Sequence, residues 1–358
     1  MSMINRPYII AEAGVNHNGN LGMAKKLVDV AKDCRADVIK FQTFSASKLV
    51  SKTAKKADYQ NPDSDESQYK MLKELELSHE DFIELWKYAN KRKINFLSTA
   101  FDESSLKFLV ENLKMPFLKI PSGEINNGPL VLQHALTNMD IVLSTGMSSI
   151  SEIKQALEVI AFGYMGTGMP SKNKFQQAYA SIEGKRILQE KVTLLHCTSQ
   201  YPAPIESINL NAMISMRDEF DLDVGYSDHS LGSKVSCLAT GLGAKILEKH
   251  ITLDNGLTGP DHKASLNPQN FEGYIDDIEA TSVIMGSKIK QVSPQEEDVI
   301  KVARKSIMSS KKIKKGDIFT EDNIIIKRPG EGISPMEYWG TIGKESKRNY
   351  KEDENIID

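Results

Sequence analysis

Residues 7–43 read PYIIAEAGVNHNGNLGMAKKLVDVAKDCRADVIKFQT and contain two apolar runs separated by one amphipathic segment. The two runs, PYIIAEAG and DVIKFQT, are continuously apolar rather than alternating, which is typical of strands covered on both faces of a parallel sheet. Between them, Asn20 can cap a helix whose apolar side chains, Leu21, Ala24, Leu27, Val28 and Ala31, fall on one face. This stretch therefore predicts a strand, a helix and a second strand parallel to the first.

The same alternation continues along the chain. Six more apolar runs follow: INFLSTA from Ile94, PFLKIPSG from Pro116, DIVLSTG from Asp140, VTLLHCT from Val192, LDVGYSD from Leu222 and KILEKHI from Lys245. One intervening helix should begin after Ser149, because Ser149 and Glu152 have the spacing of a capping box. Eight strands alternating with helices predict an α/β fold, a (β/α)8 TIM barrel, with an open doubly wound sheet as the alternative.

The pattern also predicts how the chain is divided. We expect the barrel to occupy residues 1–285 and a polar linker to follow at residues 286–302. Residues 303–358 contain short apolar runs and turns, such as NIIIKRPGEGISP, and predict a small second domain. Two insertions interrupt the barrel: residues 51–68 are long enough to form a lid over the strand ends, and residues 163–177 are predicted to be a solvated loop.

Composition excludes several classes of function. The 358 residues carry a formal net charge of -3, which gives no general electrostatic reason to bind nucleic acid or a membrane. We find no signal peptide and no apolar run of about 18 residues, so a cytoplasmic protein is expected. Cys34, Cys197 and Cys237 show no CxxC spacing, so they predict neither a disulfide nor a zinc site and should be buried core residues.

Polar side chains close nearly every predicted strand. In a parallel barrel the carboxyl ends of the strands form the active face, so these side chains should meet in one site. They are Glu12, Asn16, His17, Lys40, Gln42, Ser98, Thr99, Lys119, Ser122, Glu124, Ser144, Thr145, His196, Thr198, Ser199, Ser227, Asp228, His229, Glu248 and His250. A barrel built only for stability would not place charge there repeatedly.

Two lysines in this set indicate an anion site. Lys40 and Lys119 lie near the ends of separate apolar strands, where a buried ammonium is costly unless an anion compensates it. The hydroxyls that can complete a pocket for phosphate and carboxylate are those of Thr99, Ser122, Ser144 and Ser227. The alternative is that each lysine extends to the surface.

Two histidines and two glutamates suggest further roles. His229 and His250 end adjacent strands, so they can converge on one divalent metal, although a hydrogen-bonded structural role is the alternative for each. Glu12 and Glu124 are the carboxylates best placed for sugar binding or proton transfer. Their alternative is a salt bridge to a lysine of the barrel mouth.

A series of motifs now identifies a family. In chain order they are AEAGVNHNG, VIKFQTF, FLSTAFD, LKIPSGEINN, VLSTGMSS, LLHCTSQYPAP, VGYSDHS, LEKHITLD, GPDHKAS and KRPGEGISP. Over residues 5–350 the chain resembles the sialic acid synthases, which condense phosphoenolpyruvate with an N-acylated aminosugar. The resemblance implies a TIM barrel followed by a small antifreeze-like (SAF) domain.

The resemblance also assigns residues. It implies phosphoenolpyruvate contacts at Lys40, Thr99, Lys119, Ser122, Ser144, Ser199 and Ser227. It implies aminosugar contacts at Glu12, Glu124, Tyr201, Asp261 and Arg328. It implies that His229 and His250 bind a divalent metal, Mn2+ first, with Mg2+ or Co2+ as alternatives. Arg328 would come from the small domain of the other protomer in a domain-swapped homodimer.

The reaction implied is the condensation of phosphoenolpyruvate, N-acetylmannosamine and water to N-acetylneuraminate and phosphate, with C–O cleavage. Glu124 is the first candidate for activating the water and Glu12 the second. A 2,4-diacetamido-2,4,6-trideoxyhexose acceptor, giving legionaminic or pseudaminic acid, is the main alternative. Ser199, asparagine in some relatives, and Arg304, aromatic in one branch, bear on that choice.

Two further alternatives change the class of function. One is a barrel aldolase in which Lys119 forms a Schiff base with the substrate. The other is an inert barrel carrying an ice-binding or polysaccharide-binding C-terminal module, which the many polar strand ends disfavour.

Overall fold

The computed structural model describes residues 6–54, 67–166 and 168–358. The chain forms two compact units, Met1–Gly286 and Ser287–Asp358. Each unit has its own cluster of buried apolar side chains. No helix within the described ranges is both long and apolar enough to span a membrane.

The first unit is a barrel of eight parallel strands. They are β1 Tyr8–Gly14, β2 Val38–Thr43, β3 Asn95–Ala100, β4 Leu118–Ile120, β5 Ile141–Ser144, β6 Val192–Cys197, β7 Asp223–Asp228 and β8 Ile246–His250. Their order is β3-β2-β1-β8-β7-β6-β5-β4, and β3 and β4 lie side by side at the seam. Every predicted run is a strand, so the TIM barrel is confirmed and the open sheet is excluded.

Helices alternate with these strands. In the barrel unit they are α1 Leu21–Asp33, α2 Ala46–Leu49, α3 Gln68–Leu75, α4 His79–Arg92, α5 Glu103–Asn112, α6 Gly128–Leu136, α7 Ile150–Met165, α8 Lys172–Ala180, α9 Ile182–Lys191, α10 Asn211–Phe220, α11 Lys234–Gly241 and α12 Pro268–Met285. The predicted caps are confirmed: the Asn20 side chain accepts from the Met23 amide, and Ser149 and Glu152 form a capping box.

One loop prediction was wrong at both ends of its segment. Residues 163–177 contain the end of α7 and the first part of α8. Ser171 caps α8 by accepting from the Lys174 amide, and Phe175 packs edge-to-face on Phe162 with ring centroids 5.0 Å apart. A serine cap and one aromatic contact therefore bring helix into both ends of this stretch, while Gly166 and residues 168–171 between the helices are exposed, as predicted for a loop. The predicted lid at residues 51–68 lies mostly outside the described residues, which resume with α3.

The second unit is the small domain of short strands that the sequence predicts. Strands β9 Ser306–Ser309 and β10 Ile324–Lys327 pair antiparallel, and two short helices are α13 Glu297–Ala303 and α14 Tyr338–Thr341. Its core consists of Ile307, Ile313, Phe319, Ile324, Tyr350 and Ile356. Most of α13 lies in the segment predicted as a linker. This helix is bonded to the rest of the second unit, since the Gly330 amide donates to the Lys301 carbonyl of α13 at 2.9 Å.

Candidate active site

A cavity of about 500 Å³ opens at the carboxyl ends of the barrel strands. Every barrel residue predicted to contact phosphoenolpyruvate, the sugar or the metal lines it: Glu12, Lys40, Thr99, Lys119, Ser122, Glu124, Ser144, Ser199, Tyr201, Ser227, His229, His250 and Asp261. Of the other polar residues that close the strands, Gln42 and Glu248 line the cavity, whereas Asn16, His17, Ser98, Thr145, His196, Thr198 and Asp228 do not. Arg328 lies in the second unit, exposed after β10. The fold therefore gathers residues that are more than two hundred positions apart in the chain.

Two lysines and two glutamates form a buried ionic network on the cavity floor. Lys40 Nζ lies 2.7 Å from Glu12 Oε2 and 3.5 Å from Glu248 Oε2. Lys119 Nζ lies 3.6 Å from Glu248 Oε1. All four side chains are less than 6% exposed. Glu248 is thus shared between the lysines. Glu12 forms a salt bridge with Lys40, which was the predicted alternative to a role in sugar binding or proton transfer.

Hydroxyl groups complete this network. Lys40 Nζ donates to Thr99 Oγ1 at 3.2 Å, and Lys119 Nζ donates to Ser144 Oγ at 2.7 Å. Ser227 Oγ donates to Glu248 Oε1 at 2.9 Å. Each ammonium is therefore positioned by its own hydroxyl. The three N–H groups of Lys40 already face Thr99, Glu12 and Glu248, whereas Lys119 has a donor left for an anion in the cavity.

The network also sets the protonation states of its members. Burial raises the pKa of Glu12, and the charge of Glu248 adds to that rise against the opposing effect of Lys40. Burial also disfavours the charged form of Glu248, but Lys119 and Lys40 outweigh it and the pKa of Glu248 is lowered. Glu248 is therefore the permanent counter-charge of the site, while Glu12 is the carboxyl that more readily takes a proton.

The histidine pair has the properties of a metal site. The His229 and His250 ring centroids are 5.4 Å apart, and burial lowers the pKa of both side chains, so the imidazoles are neutral. His229 Nδ1 donates to the Thr198 carbonyl at 2.6 Å, which leaves Nε2 with its lone pair. His250 Nδ1 is buried without a hydrogen-bond partner. His229 Nε2 lies 3.4 Å from Ser227 Oγ, whose proton goes to Glu248, so its lone pair remains free. Neutral imidazole nitrogens with free lone pairs fit a divalent ion.

The protein supplies few other metal ligands at this place. Among the described residues, no group of three or more histidine, cysteine, aspartate and glutamate side chains is arranged to hold a metal ion. Any ion held by His229 and His250 would therefore keep positions for water or substrate, as catalytic metal sites do.

Three predicted sugar contacts surround the histidines or face them. The Tyr201 ring packs against His229 with centroids 4.1 Å apart. Asp261 Oδ2 lies 3.8 Å from His250 Nδ1, and burial raises the pKa of Asp261 to about 6. Glu124 accepts from Asn127 Nδ2 at 2.8 Å, and burial raises its pKa as well. Both carboxyls can therefore exchange protons nearer to neutral pH than ordinary ones.

The turn after β5 explains why a glycine follows Thr145. The Gly146 amide donates to Ser122 Oγ at 3.0 Å. A Cβ on Gly146 would lie 2.3 Å from Ser199 Oγ and 2.8 Å from Cys197 Sγ, so no other residue fits. Cys197 is buried, as expected of a core cysteine, but its sulfur lies 3.1 Å from Ser122 Oγ and lines the cavity.

Sequence reasoning missed the role of Glu248. It was recognised as one of the polar residues that close the strands, but only the folded barrel shows it between both lysines. A signal was present, because Glu248 and His250 are two residues apart on β8 and so face the same side of the strand.

Comparisons with known proteins agree with this architecture. Residues 27–290 match the NeuB family, and residues 304–356 match the SAF domain. The chain is 46% identical to the N,N'-diacetyllegionaminic acid synthase of Campylobacter jejuni, over 99% of both chains. It is 42% identical to the enzyme of the same name from Legionella pneumophila, over 96% of this chain and 91% of the relative.

A solved structure is also similar. The N-acetylneuraminic acid synthetase of Leptospira borgpetersenii, crystallised with citrate, has 30% sequence identity and a TM-score of 0.67. The match covers 83% of this chain and 91% of the other.

Proposed function

Because the chain belongs to the NeuB family, we propose that it condenses phosphoenolpyruvate with an N-acylated aminosugar to form a nine-carbon sugar acid and phosphate. The observation that carries this proposal is the pair of buried lysines facing the cavity, each held by a hydroxyl and by the shared carboxylate of Glu248.

The lysine pair suits phosphoenolpyruvate because that substrate carries a phosphate and a carboxylate on the same carbon, carbon 2. Lys40 and Lys119 bind these groups together with the hydroxyls of the cavity floor. The predicted members of that floor are Thr99, Ser122, Ser144, Ser199 and Ser227. Bound phosphoenolpyruvate would give both lysines more negative charge than Glu248 alone supplies.

The reaction then needs one carbon–carbon bond and one C–O cleavage. Carbon 3 of phosphoenolpyruvate attacks the aldehyde carbon of the open-chain sugar, and the aldehyde oxygen takes a proton. Water adds to carbon 2 and loses a proton to Glu124, or to Glu12 as the second candidate. The resulting tetrahedral carbon expels phosphate together with the bridging oxygen, which leaves the keto acid.

His229 and His250 would hold the divalent ion, for which we retain Mn2+ first and Mg2+ or Co2+ as alternatives. When bound, such an ion supplies Lewis-acid polarisation of a carbonyl oxygen. The chain itself contributes neutral imidazoles and the ring of Tyr201, which packs against both histidines and restricts their orientation.

The comparisons favour the alternative acceptor over N-acetylmannosamine. Two relatives that match nearly the whole chain are named N,N'-diacetyllegionaminic acid synthase, at 46% and 42% identity. We therefore propose a 2,4-diacetamido-2,4,6-trideoxyhexose as the acceptor and N,N'-diacetyllegionaminic acid as the product.

We also propose the domain-swapped homodimer, in which Arg328 reaches the sugar site of the partner, and a cytoplasmic location. Both follow from the family resemblance and the composition. An exposed arginine after β10 is suited to binding an acidic or hydroxyl-rich sugar.

The test is phosphate release from phosphoenolpyruvate labelled with 18O at the bridging oxygen, with Mn2+ and the diacetamido sugar. The proposed route delivers the label to phosphate and needs both substrates. Release of unlabelled phosphate, or release without a sugar, contradicts the proposal.

Two control measurements separate the alternatives. Lys119→Ala should raise the KM for phosphoenolpyruvate, and unchanged kinetics would refute the anion-site assignment. Borohydride should trap no protein–substrate adduct, whereas an aldolase using Lys119 as its Schiff-base lysine would be trapped.

A further inference from the structure

The cavity mouth has one apolar side that the reaction chemistry above does not use. A cluster of apolar side chains, separate from the main barrel core, lines the cavity on the side of β1 to β3 and α3. We call it the apolar wall, and its members are Val15, Phe44, Leu49, Met71, Leu72, Leu75 and Phe101.

The wall lies directly above the polar floor of the same strands. Phe44 comes two residues after Gln42 of β2, and Phe101 comes two residues after Thr99 of β3, so each pair points to the same side. At about 3.3 Å per residue, the two rings lie roughly 7 Å farther out along the strands. The Phe101 amide donates to the Thr43 carbonyl at 3.2 Å, which extends the β2–β3 ladder by one step.

Both rings are fixed by their neighbours. Phe44 and Phe101 pack edge-to-face with centroids 6.2 Å apart, and Phe44 is only 8% exposed. Helix α3 adds Met71 and Leu72, which are half-buried and therefore still accessible from the cavity. The two phenylalanine rings of the wall are thus fixed before a ligand binds, and Met71 and Leu72 present apolar surface to the cavity.

The rest of the mouth is chemically different. Glu124, Ser199, Tyr201 and Asp261 follow strands β4, β6 and β8, and these oxygen-bearing side chains also line the cavity. Among the described residues that line the cavity, the lysine and arginine side chains are Lys40 and Lys119, and both lie in the floor network. An acceptor sugar therefore meets oxygen-bearing side chains after β4, β6 and β8, and mainly hydrocarbon beside β1 to β3 and α3. Gln68 of α3 also lines the cavity there, but no lysine or arginine of the wall does so among the described residues.

We propose that the apolar wall is the subsite for the apolar end of the acceptor, namely a C6 methyl group and an acyl methyl group. This rests on the proposed function and deepens it, because it explains which sugar the site selects. A C6 hydroxyl packed against these apolar side chains would lose hydrogen bonds to water, and a C6 phosphate would lose hydration with no lysine or arginine of the wall lining the cavity among the described residues. The wall therefore favours a 6-deoxy, doubly acylated aminosugar.

The size of the effect follows from general values. Burial of one methyl-sized group against such a wall contributes about fourfold in affinity, and apolar pockets reject an added hydroxyl by about 10- to 100-fold. We expect kcat/KM for the 2,4-diacetamido-2,4,6-trideoxyhexose to exceed that for N-acetylmannosamine by at least about tenfold. N-Acetylmannosamine 6-phosphate should be poorer still.

The experiment measures phosphate release with these three acceptors at saturating phosphoenolpyruvate, for the wild type and Met71→Gln. Glutamine keeps the length and helix-forming character of methionine but makes the wall polar. The variant should lose about fivefold in kcat/KM for the deoxy sugar and stay within about twofold for N-acetylmannosamine, with the phosphoenolpyruvate KM unchanged. Leu72→Gln provides a second variant with the same expectation.

Met139→Gln is the matched control, because Met139 is half-buried against the barrel core and does not line the cavity. It should leave the ratio between acceptors at the wild-type value. An unchanged ratio in both wall variants, or a wild type that prefers either hydroxylated or phosphorylated acceptor, overturns the inference while the condensation itself stands. Absence of phosphate release with every acceptor overturns the proposed function and the inference together.

Discussion

Glu248→Gln is the substitution that most directly tests the ionic network. It keeps the size of the side chain and the ability to accept from Ser227, but it removes the one carboxylate shared by both lysines. The empty site would then contain two buried ammonium groups with only Glu12 close by, paired to Lys40.

The expected loss of stability can be bounded from the distances. At an effective dielectric constant of about 20, the 3.6 Å separation of Lys119 and Glu248 corresponds to about 4.6 kcal/mol. The lysine can instead lose its proton, which at pH 7.5 costs about 4 kcal/mol for a group whose ordinary pKa is about 10.4. The smaller value limits the loss from Lys119, and Lys40 keeps Glu12 as its partner at 2.7 Å, so we expect a loss of about 4 kcal/mol.

In a barrel unit of 286 residues this loss lowers Tm by about 5–7 °C. Phosphoenolpyruvate should reverse most of the decrease, because its negative charge replaces that of Glu248. It should also raise the Tm of the variant more than that of the wild type, since the repulsion between Glu248 and the ligand is gone. Differential scanning fluorimetry in chelator, with and without phosphoenolpyruvate, measures both effects without any metal contribution.

A surface ion pair provides the control. Glu183→Gln removes one partner of Arg186 on the exposed face of α9 and should leave Tm unchanged. If Glu248→Gln behaves like this control, and phosphoenolpyruvate stabilises it no more than the wild type, then Glu248 is not the counter-charge of the lysines. The reading of the cavity floor as an anion site would then be wrong.

Three further predictions concern other parts of the molecule. Lys119→Ala and Arg328→Ala proteins should be assayed at a phosphoenolpyruvate concentration too low for Lys119→Ala alone to turn over. Co-expressed, they should recover about one quarter of the wild-type activity if the domains are swapped, and none if they are not. His134 of α6 is buried, and burial lowers its pKa to about 4. As the pH falls, the unfolded chain therefore binds a proton at His134 before the folded chain does. The contribution of His134 to the free energy of unfolding is full above pH 6.5 and should fall by about 2 kcal/mol on going to pH 5. Urea unfolding should show this slope in the wild type and a shallower one in His134→Gln. Lys249 forms a buried ion pair with Asp228 at 3.0 Å, so Lys249→Met should cost about 3–5 kcal/mol in urea unfolding, and adding Asp228→Asn should recover most of it.

The fold was predictable because its signals are local. Continuous apolar runs mark the strands, and side-chain caps such as Asn20 and Ser149 mark helix starts, so each element can be read from a short window. The prediction failed at the two ends of residues 163–177, where α7 ends and α8 begins, and Phe175 of α8 packs on Phe162, thirteen positions away. Glycine content in a window contains no information about such a contact.

The sequence predicted at which end of the barrel the candidate site lies, but it did not predict which charged side chains pair there. Strand-end position places Lys40, Lys119 and Glu248 near the same end of the barrel, since parallel strands finish together. Which charges meet depends on which strands are neighbours and on the register between them. Glu12 lies opposite both Lys40 and His250 because β1 stands between β2 and β8, and that arrangement exists only once the barrel has closed.

Closure of the barrel also explains how the anion site and the metal site are connected. Glu248 and His250 project from the same face of β8, so one strand carries both the counter-charge of the lysines and a metal-binding imidazole. On the neighbouring strand β7, the Ser227 hydroxyl donates to Glu248, and His229 directly follows the end of the strand. A shift of β8 along its neighbours would move the lysine counter-charge and the imidazole together. The anion site and the metal site are therefore held at a fixed distance along the strands. The reaction requires this, because carbon 3 of one substrate must meet the carbonyl carbon of the other.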